Sequence, residues 1–184
     1  MGTAILLGIV AAVIVVWSLF TYNRLVRLRV RAEESWRDID TQLKRRWDLI
    51  PNLVEAVRGY ASHERNVFER VTAARARSVD ASNAPERAEA EETLKDALFS
   101  LFAIAESYPQ LTASDNFLEM QRSLEQAEDT IQRSRRFYNA VVRELNTAIM
   151  SFPKSLIAGA FGFRPRQYYA LPGDEEREAP RVRI

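Results

Sequence analysis

The chain has 184 residues, about the size of one domain, and 47% of them are hydrophobic, which is enough for a packed core. Its 26 basic and 25 acidic residues leave a formal net charge of +1, so no global field attracts nucleic acid or a strongly acidic partner. There is no cysteine and only one histidine, His63, which excludes disulfides, thiolate nucleophiles and zinc sites built on cysteine or several histidines, so no cofactor is expected.

The first element in chain order is an uncharged apolar stretch. From Thr3 to Tyr22 no side chain is charged, and a helix of this length spans about 30 Å, the thickness of a bilayer core. The stretch predicts a transmembrane helix over residues 1–22. The alternative is a cleaved signal peptide, but no basic segment precedes the apolar run and no convincing cleavage site follows it.

Four arginines follow the apolar stretch directly: Arg24, Arg27, Arg29 and Arg31. Trp17 and Tyr22 suit the interface between membrane and water, and the arginines place the bulk of the chain in the cytoplasm by the positive-inside rule. The same arginines could also contact anionic lipid headgroups, although Glu33 and Glu34 limit the basic patch. The simpler interpretation is that these arginines only determine the orientation of the helix in the membrane.

The next element contains Pro51 within an apolar stripe. The stripe keeps spacings of three and four on both sides of the proline and is interrupted only at Glu64; its members are Trp36, Ile39, Leu43, Trp47, Ile50, Val54, Val57, Ala61, Phe68 and Val71. A loop would make the two registers unrelated, so the pattern predicts a kinked helix or two nearly coaxial helices. Because Pro51 cannot donate an N–H to the Trp47 carbonyl, another donor must compensate, and Asn52 and Arg46 are nearby candidates.

Helix-breaking residues at 80–85 predict that the first helix after the membrane span ends there and that the chain then reverses its direction. A second helix is expected to begin near Pro85, with several glutamates near its positive end, and to close at Tyr108-Pro109. Its buried face is predicted to consist of Leu94, Leu98, Leu101 and Ala105.

A long third helix is predicted from Asp115 to about Ser151, with Ser114 as its cap and Pro153 as its end. Residues 155–163 are too short and too rich in glycine to span a bilayer, so we expect a short helix that folds back on the bundle. A segment that dips into the membrane is the alternative. After Leu171, the charged and proline-rich residues 172–184 predict a flexible tail.

The predicted fold is therefore all-α. It comprises a transmembrane helix over 1–22 and an antiparallel up-and-down bundle of long helices over 23–171, followed by the tail. The bundle has about four helices when the two limbs around Pro51 are counted separately. No strand of convincing alternation, internal repeat or glycine-rich phosphate loop is found in the sequence.

Three carboxylates lie near the apolar stripes: Glu64, Glu106 and Glu128. A di-iron centre needs two Glu-x-x-His pairs, which one histidine cannot supply, and a carboxylate site for calcium or magnesium has no loop signature here. The favoured interpretation is pairing with arginines across the bundle, which would fix helix register at little net gain in stability. The candidate arginines are Arg46, Arg75 and Arg135. No arrangement of nucleophile and base is visible, so no catalytic residue is predicted.

Several uncommon strings, in order along the chain, resemble the LemA family of bacterial membrane-anchored helical proteins. The strings are YNRLVRLR at 22–29, DIDTQLKRRWDLIPNLVEAVRGYASHE at 38–64, Ala-Arg at 74–75, AESYPQL at 105–111, DNF at 115–117, RRFYNAVV at 135–142, FPKSLIAGAFGF at 152–163 and APRVRI at 179–184. The resemblance implies one N-terminal transmembrane helix and a long bundle with the Leu-Ile-Pro-Asn motif inside a helix. The departures are Trp47, where the family commonly has a smaller residue, and Ile184, where it commonly has an aromatic one.

The resemblance implies structural roles for the motif residues, and no catalytic residue is carried over. These residues are Arg46, Leu49, Ile50, Pro51, Asn52, Leu53, Glu64, Arg75, Glu106, Tyr108, Pro109, Asn116, Phe117, Arg135, Tyr138, Asn139, Phe152, Pro153, Gly162 and Phe163.

Anchor, bundle and resemblance together predict a non-enzymatic scaffold or adaptor in the bacterial cytoplasmic membrane. Its short N-terminus would lie outside and its bundle in the cytoplasm. The partners expected are membrane lipid, an envelope protein bound by the bundle or by the C-terminal tail, and a second copy of the chain. The alternative is a lipid-engaging protein that self-assembles and organises or remodels membrane.

Overall fold

The computed structural model describes residues 1–169, which fold into helices with no strand in that range. The helices are α1 (Gly2–Arg58), α2 (Arg65–Asp80), α3 (Ala84–Glu106), α4 (Pro109–Thr112), α5 (Asp115–Met150) and α6 (Lys154–Ala160). The all-α prediction is confirmed. The predicted tail, with Ile184, lies outside the described residues.

Helix α1 continues through Pro51 to Arg58, as the phase of its apolar stripe predicts. The prediction that the same helix reaches residue 80 is wrong, because the chain leaves helical geometry at Gly59. There the N–H groups of Tyr60 and Ala61 both bond to the Val57 carbonyl, at 3.0 and 2.9 Å, which closes the helix with a tight turn. Glycine is a poor helix former, and the interruption of the stripe at Glu64 marks the end of this turn.

The start of α3 is capped by its own side chains. Asn83 Oδ1 accepts a hydrogen bond from the Glu86 N–H at 3.0 Å, and the Glu86 carboxylate accepts one from the Ser82 N–H at 3.1 Å. This reciprocal pattern satisfies donors that a helix leaves unpaired in its first turn. At the start of α5 the predicted cap is present, with the Phe117 N–H donating to Ser114 Oγ at 3.4 Å.

The described chain divides into two compact units, each of which takes part of α1 and part of α5. The anchor unit comprises Met1–Arg37 and Arg136–Tyr168, and the bundle unit comprises Asp38–Arg135 and Tyr169. In the bundle unit, contacts of Trp47 with Ser78 and of Arg58 with Phe68 show that α2 runs antiparallel to α1.

Helix α3 packs against α2 after a short turn and so runs antiparallel to it. Helix α5 runs antiparallel to α3, because Glu91 lies near Arg135 and Phe102 lies near Phe117. This unit is therefore an up-and-down bundle. Its core is made of aliphatic and aromatic side chains from α1, α2, α3 and α5, chiefly Leu43, Ile50, Leu53, Val57, Phe68, Val71, Leu94, Leu101, Phe117, Leu124 and Ile131.

In the anchor unit, the first twenty residues of the chain are exposed or half-exposed, and burial begins at Thr21. From there Leu25 and Leu28 are buried, as are Val142 and Leu145 of α5. The segment after α6 is held by Asn146, whose side chain donates to the Arg166 carbonyl and accepts from the Arg166 N–H, both at 2.8 Å. Burial thus starts where the predicted membrane span ends.

Candidate functional site

Four charged side chains from three helices meet inside the bundle unit, and we call them the ion cluster: Arg46 of α1, Glu91 of α3, and Glu128 and Arg135 of α5. Arg46 bonds to Glu91 through one terminal nitrogen and to Glu128 through the other, the latter at 2.5 Å. Arg135 approaches Glu91 at 3.7 Å. Arg46, Glu91 and Arg135 are only 4, 3 and 5% exposed, so these charges depend on one another rather than on water.

Glu91 is the centre of the ion cluster because both of its oxygens are used. While Oε2 contacts the two arginines, Oε1 accepts hydrogen bonds from Trp47 Nε1 at 3.1 Å and from the Ser78 hydroxyl. Glu91 therefore links its own helix to α1, α2 and α5. A buried carboxylate needs this many donors because an unpaired one would be very costly.

The two carboxylates of the cluster differ in their acidity. Burial raises the pKa of Glu91 above its usual 4.5, although the charge of Arg46 and the hydrogen bond from Trp47 oppose this. For Glu128 burial alone would also raise the pKa, but a 2.9 Å hydrogen bond from Gln132 and the charge of Arg46 hold it below 4.5. Glu128 is also 36% exposed, so water helps to keep it ionised.

Next to the ion cluster, Arg75 of α2 supplies the hydrogen bond that Pro51 cannot make. Its Nε donates to the Trp47 carbonyl at 2.7 Å. This carbonyl lies four residues before Pro51, where the helix has no N–H to offer. The nearby donors expected from sequence were Asn52, which is exposed, and Arg46, which bonds to Glu91 and Glu128 instead. The donor comes from another helix.

Two contacts between a guanidinium group and an aromatic ring lie beside the ion cluster. The guanidinium of Arg135 lies over the ring of Tyr169 at 4.6 Å, and that of Arg87 lies over the Trp47 ring at 5.7 Å while also bonding to Asp40. Tyr169 is fully buried, and burial raises the pKa of its hydroxyl to about 12.

An open cavity of about 310 Å³ lies between α3 and α5, and we call it the α3–α5 groove. Arg46 and Glu128 of the ion cluster line it; its other lining residues are Lys95, Leu98, Phe99, Phe102, Gln121, Leu124 and Glu125. Phe99 is 76% exposed, whereas the aromatic rings of Phe102 and Phe117 pack together at 6.2 Å. The groove is therefore apolar, with charges at its edges and an exposed phenyl ring.

The motif residues in the bundle unit fall into distinct environments. Arg46 and Arg135 join the ion cluster, and Arg75 contacts the Trp47 carbonyl. Buried or half-buried are Leu49, Ile50, Leu53, Tyr108 and Phe117; exposed are Pro51, Asn52, Glu64, Glu106, Pro109 and Asn116. Of the three carboxylates considered for pairing across the bundle, Glu128 makes the pair, while Glu64 and Glu106 lie at helix ends where solvent hydrates them.

The remaining motif residues lie in the anchor unit. Tyr138 and Asn139 are buried, and the Tyr138 hydroxyl donates to the Gln167 carbonyl at 3.0 Å. Phe163 is half-buried, and Phe152, Pro153 and Gly162 are exposed.

The predicted lipid-contacting arginines of the anchor unit are all exposed. Arg24 pairs with Glu144 at 3.2 Å, Arg29 with Glu33 at 3.6 Å, and Arg31 lies over Phe137 at 5.3 Å. Their contact with lipid headgroups stays a prediction.

Sequence reasoning missed Glu91, Ser78 and Tyr169. Glu91 is one of the glutamates near the start of the second predicted helix, where a negative charge favours the positive end of the helix dipole. A signal was present, because Glu91 precedes Leu94 by three residues and Leu98 by seven, which puts it on the buried stripe. Ser78 and Tyr169 carried no comparable signal, since their positions depend on how separate helices pack.

Arg46 bonds to both glutamates of the ion cluster, and Arg135 forms an ion pair with Glu91, which suits a structural role. Within residues 1–169 no three acidic, histidine or cysteine side chains are grouped as a metal site requires. In the bundle unit, the α3–α5 groove beside the ion cluster is open to another molecule.

Comparison with known proteins gives one matching family and several related proteins. The sequence profile described as the LemA family matches residues 35–184. The chain is 27% identical to the magnetosome protein MamQ of Magnetospirillum gryphiswaldense, over 82% of this chain and 65% of the relative. It is 25% identical to MamQ 2 of Paramagnetospirillum magneticum with the same coverage, and 25% identical to Protein LemA of Metamycoplasma hominis over 74% of this chain and 63% of the relative. The chain thus spans about 65% of the length of the MamQ relatives that it matches.

Proposed function

Since the chain belongs to the LemA family, we propose that it is a single-pass, membrane-anchored adaptor of the bacterial envelope that acts through protein contacts and not through catalysis. Helix α1 is long and apolar enough at its start to cross a membrane, and none of that stretch is buried in the fold. Relatives are named as magnetosome proteins, and a membrane setting for this chain agrees with that name.

The observation that carries the adaptor role is the α3–α5 groove. Antiparallel helices with an apolar channel between them can receive one face of a third helix, a recurrent mode of recognition. An exposed aromatic ring such as Phe99 is the type of residue that dominates binding energy at interfaces. Lys95 and Glu125, of opposite charge at the edges of the groove, would select a partner helix with complementary charges.

The ion cluster supports this role by fixing the helices on either side of the groove. Glu91 and Glu128 belong to α3 and α5, and Arg46 bonds to both. The positions of the two helices are therefore set before a partner arrives, which lowers the conformational cost of binding.

The role is tested by replacing Phe99 with a photocrosslinking phenylalanine analogue in the full-length protein in its own membrane. Val79, exposed on α2 in the same unit, is the control position. We expect position 99, and not position 79, to capture one envelope protein through an apolar helix, and Lys95→Glu to weaken the capture. Equal capture at both positions, or none at position 99, would contradict the groove as the binding surface.

Two other outcomes of this experiment have their own meaning. Capture that disappears when residues 172–184 are deleted would assign partner binding to the C-terminal tail. Adducts formed only between copies of the chain would favour the second candidate, a self-assembling protein that organises membrane. The exposed apolar residues around α6 support this candidate.

A further inference from the structure

The anchor unit has four exposed large apolar side chains that are not part of its membrane-spanning stretch, and we call them the collar: Met150, Phe152, Leu156 and Phe161. Their side chains are 67, 81, 63 and 62% exposed. Three of the four lie at the end of α5, in the turn that follows and in α6, and Phe161 follows α6 directly. Exposing four large apolar side chains so close in sequence to water is unfavourable in free energy and is unusual for a water-facing surface.

The position of the collar follows from the pairing of α5 with α1 inside the anchor unit. Arg31 contacts Phe137 at 5.3 Å and Arg24 contacts Glu144 at 3.2 Å, so the helices run antiparallel. Met150 lies six residues beyond Glu144, or about 9 Å along the helix. The same distance from Arg24 towards the N-terminus reaches Ser18, which is inside the predicted span.

Contacts between aromatic rings independently place the collar at the end of the predicted membrane span. The ring of Tyr22, the last residue of the predicted span, lies 4.8 Å from that of Phe161 and 5.8 Å from that of Phe163. Aromatic residues at this level of a membrane protein usually lie among the lipid headgroups.

The charge of the segment also suits lipid. Between Leu145 and Tyr169 there is no acidic residue, whereas Lys154 and Arg164 are basic. Arg166 is also basic, but it pairs with Glu33 at 2.9 Å. An apolar surface with basic residues beside it favours the boundary between headgroups and acyl chains of a membrane that contains anionic lipid.

We propose that the collar is a second membrane contact, in which the end of α5 and α6 lie in the bilayer interface beside the spanning helix. The occupant of this surface is lipid, because the collar is continuous with the lipid-facing surface of the anchor at Tyr22. The proposal rests on the membrane anchorage but not on the adaptor role, since the α3–α5 groove belongs to the other unit.

The absence of cysteine in the chain permits a direct test, because any introduced cysteine can be labelled specifically. Phe152→Cys and Leu156→Cys are labelled with an environment-sensitive fluorophore in the full-length protein and reconstituted into vesicles of phosphatidylcholine and phosphatidylglycerol. Leu19→Cys, inside the span, is the membrane reference. Val30→Cys is the aqueous control, because it is exposed on α1 about 12 Å beyond Tyr22.

Nitroxide-bearing lipids are expected to quench the fluorophore at 152 and 156 at least half as strongly as at 19, and at least threefold more strongly than at 30. Iodide in the buffer should quench in the reverse order. The proposal is overturned if positions 152 and 156 behave like 30, or if both quenchers fail there, because the collar would then face water or protein. Loss of lipid quenching at position 19 as well would instead contradict the membrane anchor itself.

Discussion

Glu91 joins four helices through a single buried carboxylate. In the variant Glu91→Gln the shape is kept, but Arg46 and Arg135 lose the charge that compensates them in the interior. We expect a loss of about 3–5 kcal/mol in the free energy of unfolding, the usual cost of breaking a buried ion pair on one side. Urea denaturation of the full-length protein in detergent, followed by circular dichroism, measures it.

Glu89→Gln is the matched control for this substitution, because Glu89 lies on the same helix but its side chain is 79% exposed. The control should change stability by less than about 0.5 kcal/mol. Equal effects of the two substitutions would show that Glu91 does not hold the helices together.

Glu128 gives the ion cluster a dependence on pH. Its pKa is lower in the folded protein than the usual 4.5, so its ionised form stabilises the fold at neutral pH. That contribution is present above the unfolded pKa and is lost as the pH falls through the folded pKa. The difference in unfolding free energy between the natural chain and Glu128→Gln should therefore shrink from pH 7 to pH 3. A difference that stays constant over this range would contradict the shift.

Single residues also show what sequence alone can and cannot predict. The pairing of Arg46 with Glu128 could be anticipated, because both lie near apolar stripes on separate helices. The buried position of Glu91 could be predicted from its spacing to Leu94 and Leu98. However, the preference for negative charge near a helix N-terminus explains a glutamate at this position equally well. The contact of Tyr169 with Arg135 depends on a chain that returns after α6, and no local pattern encodes that path.

At the scale of helices, Pro51 and Arg75 form a pair that a double-mutant cycle can test. Arg75→Ala leaves the Trp47 carbonyl without its donor and should cost about 1–3 kcal/mol. In a Pro51→Ala background, the alanine N–H can bond to that carbonyl, so most of the hydrogen-bond cost of Arg75→Ala should disappear. Unfolding free energies of the four proteins give the coupling. Additive effects would show that Arg75 does not compensate for the proline.

The end of α6 depends on Gly162, whose φ of +70° lies in the left-handed region. Gly162→Ala should destabilise this turn by about 1 kcal/mol, because side chains with a Cβ rarely adopt that conformation. Gly159→Ala, inside α6, is the control and should be neutral or stabilising, since an added Cβ there meets no atom within 4 Å. Hydrogen exchange of the α6 amides measures both, and equal protection in the two variants would contradict the prediction.

Helix boundaries were predictable where proline or a capping residue marks them and uncertain elsewhere. The start of α3 and both ends of α5 agree with the expectation from Pro85, Ser114 and Pro153. The break after Arg58 was missed because apolar residues at Val57 and Ala61 keep the helical spacing across it. Both side chains are buried in the structure, so a tight turn preserves the pattern that normally indicates a continuous helix.

For the whole molecule, the all-α class and the long apolar N-terminal helix could be predicted from sequence, but the division into two units could not. Both α1 and α5 belong to both units, and their apolar stripes continue without a marked change in composition. The α3–α5 groove was equally hidden, since a cavity depends on the distance between helices and not on the pattern along either one.

The first nineteen residues contribute no buried side chain to the described fold. We therefore expect a protein that lacks residues 2–19 to keep the melting temperature of the full chain in the same detergent, as measured by circular dichroism. In detergent-free buffer the collar should make this protein self-associate as its concentration rises. Loss of cooperative unfolding in detergent would contradict the first expectation, and a monomer at all concentrations would contradict the second.

The bond from Arg75 to the Trp47 carbonyl also restricts how α2 can dock on α1. A helix without proline offers every carbonyl to its own backbone, so a neighbour can slide by one turn, about 5.4 Å, without leaving a bare acceptor. Pro51 removes that freedom, because it leaves one carbonyl of α1 that requires a donor from outside the helix. Sliding α2 would carry Arg75 away from this carbonyl. A residue that weakens its own helix thereby marks the one alignment in which two helices fit.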